Sequence, residues 1–165
     1  MRRTLILVPV LGLMLVGSVV GGRFAANARQ GTPAAAPIVG VSAALLGTGQ
    51  PDAAPGHDLG LYRIVFEPGG SIADHHHPGA LVVYVESGAL TYAVTDGTVD
   101  VRRAAQGGTP TPADQLNAGD ETVLTAGDSL FEQGVSHNAR NDGDEPAVVW
   151  VSSVIEGGES FTVFD

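Results

Sequence analysis

Four of the five histidines in this 165-residue chain fall in two places, and three of them could bind one metal ion together. His75, His76 and His77 are consecutive, and His137 stands alone sixty residues further on. Side chains alternate between the two faces of a β-strand, so His75 and His77 would point into one cavity and His76 away from it. Imidazole suits Fe, Cu, Ni and Zn, and also Mn when oxygen ligands are added. The sequence therefore predicts a divalent transition-metal cofactor of open identity, the alternative being a solvated polar loop that binds nothing.

The elements that would position these histidines have the pattern of short strands. Residues 61–67, 81–86 and 89–95 are rich in β-branched and aromatic residues and are each followed by turn residues. Further strands are predicted at residues 99–101, 121–125, 129–132, 147–155 and 161–164. The chain is expected to break at residues 68–70 and to form a long linker over residues 104–118. No stretch after residue 57 has the three-to-four spacing of an amphipathic helix, so we expect an antiparallel sandwich or barrel.

Composition narrows the class of protein. Hydrophobic residues make up 44% of the chain, which excludes global disorder, and 23 Gly with 10 Pro indicate many tight turns. The 18 acidic residues against 8 basic ones give a net charge of −10. Such a charge disfavours nucleic-acid binding and charge-driven binding to membranes. Because cysteine is absent, disulfides, Cys-ligated zinc and thiol catalysis are excluded.

The N-terminus has the organisation of a secretory signal peptide. Arg2 and Arg3 precede an apolar run over residues 5–20, and Ala26-Asn27-Ala28 matches a cleavage sequence. We predict a signal peptide over residues 1–28, with an uncleaved membrane anchor as the alternative. In either case the domain would be exported, as a secreted, periplasmic or cell-surface protein, and only this N-terminal segment would touch a membrane.

The rest of the chain divides by composition into two parts. Residues 29–56 are rich in Ala, Pro and Gly and predict a tether, with an early strand over residues 38–46. Residues 57–165 carry the strand-like runs and all five histidines, and they predict the folded domain.

Two segments resemble the conserved motifs of the cupin superfamily. Residues 69–88, GGSIADHHHPGALVVYVESG, are similar to the first motif, G-x5-H-x-H-x3-4-E-x6-G, with the histidine positions at His75 and His77. Residues 127–141, GDSLFEQGVSHNARN, are similar to the second motif, G-x5-P-x-G-x2-H-x3-N, with its histidine at His137. The resemblance implies an all-β double-stranded β-helix, the jelly-roll or cupin barrel. It also implies a metal held by these three histidines.

The chain departs from both motifs. Leu81 and Val82 occupy the places where the first motif has its metal-binding glutamate, and the proline of the second motif falls on Glu132 or Gln133. Loss of a carboxylate removes an anionic ligand and leaves more of the ion's charge uncompensated. Glu132 is a candidate replacement ligand, because it ends the strand that leads to His137. The alternative is a carboxylate that faces outward at a strand end.

Several other side chains are predicted to have structural roles. His57 is expected to be exposed, and Arg140 is expected to pair with a nearby carboxylate rather than with an anionic ligand. The larger aromatic side chains are expected to form the barrel core or its lining, and they are Phe66, Tyr84, Tyr92, Phe131 and Trp150.

Two functions from different classes fit these observations. The first is a metal-dependent enzyme of oxygenase or isomerase type that acts on a small molecule in the barrel. The second is a non-catalytic module that binds a metal or a small molecule, which the missing glutamate and the lack of a recognisable second catalytic group favour. A metal-free structural barrel is a third possibility. The resemblance further implies pairing of two barrels, hence a homodimer.

Overall fold

The computed structural model describes residues 37–105 and 114–165, and every regular element within them is a β-strand. The strands are β1 (Ile38–Gly49), β2 (His57–His76), β3 (Gly79–Ser87), β4 (Ala89–Asp96), β5 (Thr98–Arg102), β6 (Asp114–Asn117), β7 (Glu121–Thr125), β8 (Ser129–Gln133), β9 (Ser136–Arg140), β10 (Ala147–Glu156) and β11 (Val163–Phe164). Within these ranges no helix is long and apolar enough to cross a membrane. The predicted signal peptide, residues 1–28, lies outside the described residues.

The strands form a nearly closed antiparallel barrel with jelly-roll topology. Strands β8, β3, β10 and β2 lie side by side in one sheet, and β2, β9, β4 and β7 lie side by side in the other. The strand β2 belongs to both, because residues 57–66 pair with β10 and residues 71–76 pair with β9. Two four-stranded antiparallel sheets in this order define a jelly roll, so the predicted fold class is confirmed.

The passage of β2 from one sheet to the other depends on two glycines. Gly69 has a φ of +76°, in the left-handed region that favours glycine. A Cβ atom on Gly70 would lie 2.6 Å from the carbonyl oxygen of Gly40 in β1. The break predicted at residues 68–70 is therefore a bend inside one long strand, because the close packing of β1 keeps the chain in the sheet.

Two segments that were expected to lie outside the barrel contribute strands to it. The strand β1 occupies residues 38–49 of the predicted tether and pairs with β2 from Ile38↔Ile72 to Gly49↔Leu59, so the sheet includes residues upstream of 57. Residues 114–117 of the predicted linker form β6, which pairs with β5, while residues 106–113 lie outside the described part. The early strand predicted over residues 38–46 is therefore part of the barrel rather than of a tether, whereas β6 is short and mostly polar, so an apolar alternation does not reveal it.

The core lies between the two sheets and is almost entirely aliphatic. Alternate residues of each strand point inward, and Val85, Val101 and Leu124 have no solvent-exposed surface. Asn141, from the second motif, is buried among them and donates hydrogen bonds to the carbonyl oxygens of Phe66 and Glu145. This asparagine therefore connects β2 to the segment that precedes β10.

Candidate metal centre

The three predicted histidines meet in one cavity of the barrel. His75 lies near the end of β2 and pairs directly across the sheet with His137 in β9. His77 follows β2 by one residue, and a ring nitrogen from each histidine lies within 4.8 Å of the other two. All three side chains are buried. His76 points to the outside as expected, where its Nδ1 is 2.8 Å from a carboxylate oxygen of Asp165.

Backbone carbonyls orient two of the rings. The Nδ1–H group of His75 donates to the carbonyl oxygen of Ala73 at 2.7 Å, and that of His77 donates to the carbonyl oxygen of Phe161 at 2.5 Å. A proton held on Nδ1 leaves the Nε2 lone pair free, which is the arrangement found around metal-binding histidines. Phe161 comes from the segment before β11, so the C-terminal residues help to position His77.

Burial keeps the three imidazoles neutral. It lowers the pKa of His75, it lowers the pKa of His77 to about 4, and it lowers the pKa of His137 well below its usual range. Protonation of His77 and of His137 is disfavoured further by repulsion from any neighbouring histidine that is itself protonated. Neutral imidazole is the form that binds a metal, so these rings do not need to lose a proton at pH 7.

Glu132 faces the histidines from the opposite sheet. Its side chain is 3% exposed, and its residue in β8 pairs directly with Leu81 in β3. The carboxylate atom Oε1 lies 3.6 Å from Nε2 of His77, and Oε2 lies 3.4 Å from Nδ1 of His137. Leu81 stands where the first cupin motif has its glutamate, so this chain carries a carboxylate at the same level of the barrel on the adjacent strand.

Tyr92, which sequence reasoning assigned only to the core or lining, holds this carboxylate. Its hydroxyl donates a short hydrogen bond to Oε2 of Glu132. Tyr92 lies in β4, is 2% exposed, and stacks on the ring of His137 with centroids 4.6 Å apart. No local pattern indicates this role, because an inward-facing tyrosine in a strand has the same appearance as any core aromatic residue.

Burial shapes the proton affinity of this pair. It raises the pKa of Glu132 to about 7, although the hydrogen bond from Tyr92 acts in the opposite direction. Burial and the adjacent carboxylate raise the pKa of Tyr92, so its hydroxyl stays protonated and remains a donor. Without a cation nearby, the carboxyl group of Glu132 is therefore protonated in part of the molecules near neutral pH.

The unpaired atoms of the cavity fit a metal ion. Oε1 of Glu132 and Nδ1 of His137 are buried and have no hydrogen-bond partner, and no Arg or Lys lines the cavity within the described residues. Buried polar atoms without partners are costly, and a cation would satisfy them. Two ligand atoms of one ion, each bound at about 2.0–2.1 Å, lie about 3 Å apart in an octahedral site and about 3.4 Å apart in a tetrahedral one. Oε1 of Glu132 and Nε2 of His77, which could both bind the ion, are 3.6 Å apart, slightly more than these values.

The cavity itself is small and mostly apolar. It has a volume of about 50 Å³ and is walled by aliphatic side chains of both sheets together with Phe161. The ring of Phe161 contacts the ring of His77 with centroids 4.7 Å apart. A space of this size accepts a few water molecules or one small chemical group, rather than a whole drug-sized ligand.

The other predicted side chains take structural positions. Arg140 pairs with Glu121 at 2.7 Å and with Asp142 at 2.8 Å, which confirms its pairing with carboxylates. The aromatic prediction is correct for Phe66 and Tyr92, which are buried, and wrong for the other side chains that lie on the outer face. These are Tyr84 and Phe131, 45% and 50% exposed, and Trp150, whose indole N–H donates to Glu86. Inward and outward positions alternate, so a strand with apolar residues on both faces does not reveal which face is buried.

The chain resembles solved structures, although no family model and no curated protein matches it. A cupin 2 domain-containing protein from Halorhodospira halophila is 15% identical, with a TM-score of 0.47 over 76% of this chain and 70% of that one. The polyketide cyclase RemF from Streptomyces resistomycificus is 15% identical, with a TM-score of 0.43 over 78% of this chain and 75% of that one. A structure of DMSP lyases is 14% identical, with a TM-score of 0.46, and the match covers 65% of this chain but only 44% of that chain.

The jelly-roll order of the strands and the positions of both histidine motifs in this barrel agree with the resemblance to the cupin motifs that the sequence carries.

Proposed function

We propose that this protein binds a divalent transition-metal ion through His75, His77, His137 and Glu132 and acts as a metal-dependent enzyme on a small molecule in the barrel. The observation that supports this most is the buried group of three histidines that faces a carboxylate with an unpaired oxygen. Two buried atoms of this group, Oε1 of Glu132 and Nδ1 of His137, have no hydrogen-bond partner, which is unfavourable unless something binds there.

Each ligand would present one atom to the ion. His75 and His77 would use Nε2, since their Nδ1–H groups are held by backbone carbonyls. Glu132 would use Oε1, while Oε2 keeps the hydrogen bond from Tyr92. The bound ion would supply Lewis-acid or redox chemistry at the coordination positions that four protein ligands leave open. Oxygenase and isomerase chemistry are both carried out in this way.

The cavity walls would contribute to the chemistry by excluding water. Aliphatic side chains of both sheets surround the polar atoms, so charges inside are poorly screened and interact more strongly with a bound group. When the ion binds, the carboxyl group of Glu132 would release its proton, since a ligand carboxylate must be ionised. Because the ion must displace this proton, metal binding would weaken as the pH falls below the pKa of Glu132, which is about 7.

A non-catalytic binding module is the second candidate, and the size of the cavity supports it. A volume of about 50 Å³ leaves little room for two reactants beside an ion. Such a module would hold the metal, or a small ligand at the metal, without turnover. The two candidates share the metal and differ only in whether a bound molecule is transformed.

The test compares the metal content of variants at neighbouring histidines, with His76, which points outward, as the control for His77. The purified full chain and its variants are reconstituted separately with Fe, Mn, Cu, Ni and Zn, and the bound metal is measured by mass spectrometry. We expect one metal ion per chain in the wild-type protein and in His76→Ala, and its loss in His77→Ala and His137→Ala. Metal in none of these proteins, or equal metal in all of them, would contradict the proposal.

A second measurement separates the two candidates. The loaded protein is screened against small molecules for both a rise in melting temperature and product formation. An enzyme predicts turnover that His137→Ala abolishes while the fold is retained. A binding module predicts stabilisation by a ligand without any product.

A further inference from the structure

A second cavity lies at the mouth of the barrel, next to the metal centre. It has a volume of about 130 Å³ and is formed by β1, β2, β10 and the segment that precedes β11. Its polar and aromatic lining residues are Thr48, Asp58, Tyr62, Ser153, Glu159 and Phe161. This cavity, called here the outer pocket, is larger than the metal cavity and more polar.

The outer pocket contains a buried hydroxyl group without a hydrogen-bond partner, that of Ser153. The residue is 2% exposed, and its hydroxyl oxygen has no hydrogen-bond partner. Ser153 is on an inward-facing position of β10, directly across from Gly60 in β2, and a Cβ on Gly60 would lie 3.0 Å from its hydroxyl. A buried hydroxyl without a partner costs free energy, and a polar group bound in the outer pocket would satisfy it.

The outer pocket also carries uncompensated negative charge. Asp58 and Glu159 both line it, and within the described residues neither carboxylate lies within 4.0 Å of an Arg, Lys or His nitrogen. The four Arg side chains of the described residues lie elsewhere, since Arg63, Arg102, Arg103 and Arg140 are absent from the lining. The net charge of −10 for the whole chain adds to the negative potential. The outer pocket is therefore suited to a cation.

Aromatic walls favour an organic cation. The rings of Tyr62 and Phe161 pack with centroids 4.3 Å apart, and Ile155 completes an apolar side of the outer pocket. An ammonium group is attracted both by carboxylates and by the faces of aromatic rings. Calcium would need six to eight oxygen ligands around it, whereas Ile155 and Phe161 leave one side of the outer pocket without side-chain oxygens.

The outer pocket and the metal cavity share a wall. Phe161 lines both of them, and its ring contacts His77 on one side and Tyr62 on the other. Because the metal cavity has room for only a small group, a ligand bound there must extend outward, and the outer pocket is adjacent.

We infer that the outer pocket binds the ammonium group of a small organic amine whose other end reaches the metal cavity. Asp58 and Glu159 compensate its charge, and the hydroxyl oxygen of Ser153 accepts a hydrogen bond from one of its N–H groups. Tyr62 and Phe161 contact its carbon chain. The placement of the other end at the metal rests on the proposed function, whereas the binding of the ammonium group does not.

The test titrates isotope-labelled full chain with butylammonium chloride and follows backbone amide shifts by NMR. The isosteric probes 1-butanol and sodium butyrate, and calcium chloride alone, serve as comparisons. We expect shifts at Gly60, Ser153 and Glu159 with butylammonium, at a Kd that is about tenfold or more below that of butanol, since a charge pair is added to the same chain. Butyrate and calcium are expected to leave these amides unchanged.

Two double variants test the role of the carboxylates. Asp58→Asn/Glu159→Gln should weaken butylammonium binding by about tenfold or more, as expected when a charge-assisted contact is lost. Asp144→Asn/Glu145→Gln removes the same charge from an exposed loop and should leave the Kd unchanged. Equal weakening by both variants would mean that the overall charge of the protein, and not the two carboxylates of the outer pocket, attracts butylammonium, and it would overturn the inference.

The remaining outcomes keep this inference distinct from the proposed function. His137→Ala should lose the metal but retain butylammonium binding, and Asp58→Asn/Glu159→Gln should retain the metal. If calcium but not butylammonium shifts the outer-pocket amides, the outer pocket is a cation site of another kind and the inference is wrong. If butylammonium binds no better than butanol, it is wrong as well, whatever the metal content.

Discussion

Removal of the Tyr92 hydroxyl tests the arrangement of the metal centre most directly. Tyr92→Phe deletes one oxygen atom and keeps the ring that stacks on His137. Oε2 of Glu132 then loses its hydrogen-bond donor in a site where the carboxylate side chain is only 3% exposed to bulk solvent. The carboxylate is also free to rotate away from the histidines.

The size of the effect follows from the charge of the carboxylate. A hydrogen bond to an ionised group is worth about 2 kcal/mol, against about 1 kcal/mol between neutral groups. At pH 6 Glu132 is mostly protonated without metal, because its pKa is raised to about 7, but it would be ionised as a ligand. The metal-bound form therefore loses about 1 kcal/mol more than the metal-free form, a factor of about five in affinity. Loss of orientation adds to this, and replacing such partners commonly costs about 10–100-fold.

We expect the Kd for the metal to rise about tenfold in Tyr92→Phe, measured by competition with a chelator at pH 6. Tyr84→Phe is the matched control, since Tyr84 is 45% exposed on the outer face and does not line the metal cavity. A Kd within about twofold of wild type for Tyr92→Phe would refute the role assigned to the hydroxyl, because it is below the smallest expected effect. A Kd raised equally in Tyr84→Phe would refute it too.

Three further predictions concern the carboxylate position, a buried aspartate and the bend in β2. Leu81→Glu/Glu132→Leu moves the carboxylate to the paired residue of the adjacent strand and should restore the metal content that Glu132→Leu alone loses. Asp128→Ala should lower the free energy of urea unfolding at pH 7 by about 3 kcal/mol, since a buried carboxylate that accepts several hydrogen bonds is removed. Gly70→Ala should cost about 1–3 kcal/mol, because its Cβ would lie 2.6 Å from a backbone oxygen, and the melting temperature measures it.

Each of these has a result that would contradict it. The carboxylate exchange is wrong if the double variant binds no more metal than Glu132→Leu. The packing argument fails if Gly47→Ala, whose Cβ would have no atom within 4 Å, destabilises the protein as much as Gly70→Ala.

The pH dependence of the Asp128 effect has a defined sign. Burial disfavours its charge, but hydrogen bonds from the backbone of Thr125 and Ala104 and from Arg103 outweigh burial and lower the pKa below 3.8. A carboxyl group whose pKa is lower in the folded state stabilises the fold above its unfolded pKa and loses that contribution as the pH falls through the folded value. The difference between wild type and Asp128→Ala should therefore be constant from neutral pH down to about 4 and should shrink below it. A difference that grows on acidification would contradict the assignment.

The histidine pattern is the part of the site that could be predicted from the chain alone. His75 and His77 share a face because their spacing matches the alternation of an extended chain, and the structure places them together with His137. His76 faces outward for the same reason. Local spacing determines these directions, so they do not depend on knowledge of the partner strands.

Glu132 shows where local information ends. Its place at the end of a strand left two directions open, inward and outward. The pairing of β8 with β3, in the register Leu81↔Glu132, selects the inward one and places the carboxylate against histidines from the other sheet. Register between strands that are distant in sequence depends on the closure of the whole barrel, and no single segment contains it.

The sequence by itself determined the all-β class, most strand positions and the three histidines, because these follow from periodicity, turn residues and side-chain chemistry. Only the tertiary structure decided that β1 joins the sheet, that Tyr92 holds Glu132, and that Phe161 lies between His77 and Tyr62. These contacts join residues far apart in the chain, and their free energy comes from burial that exists only when both sheets have come together.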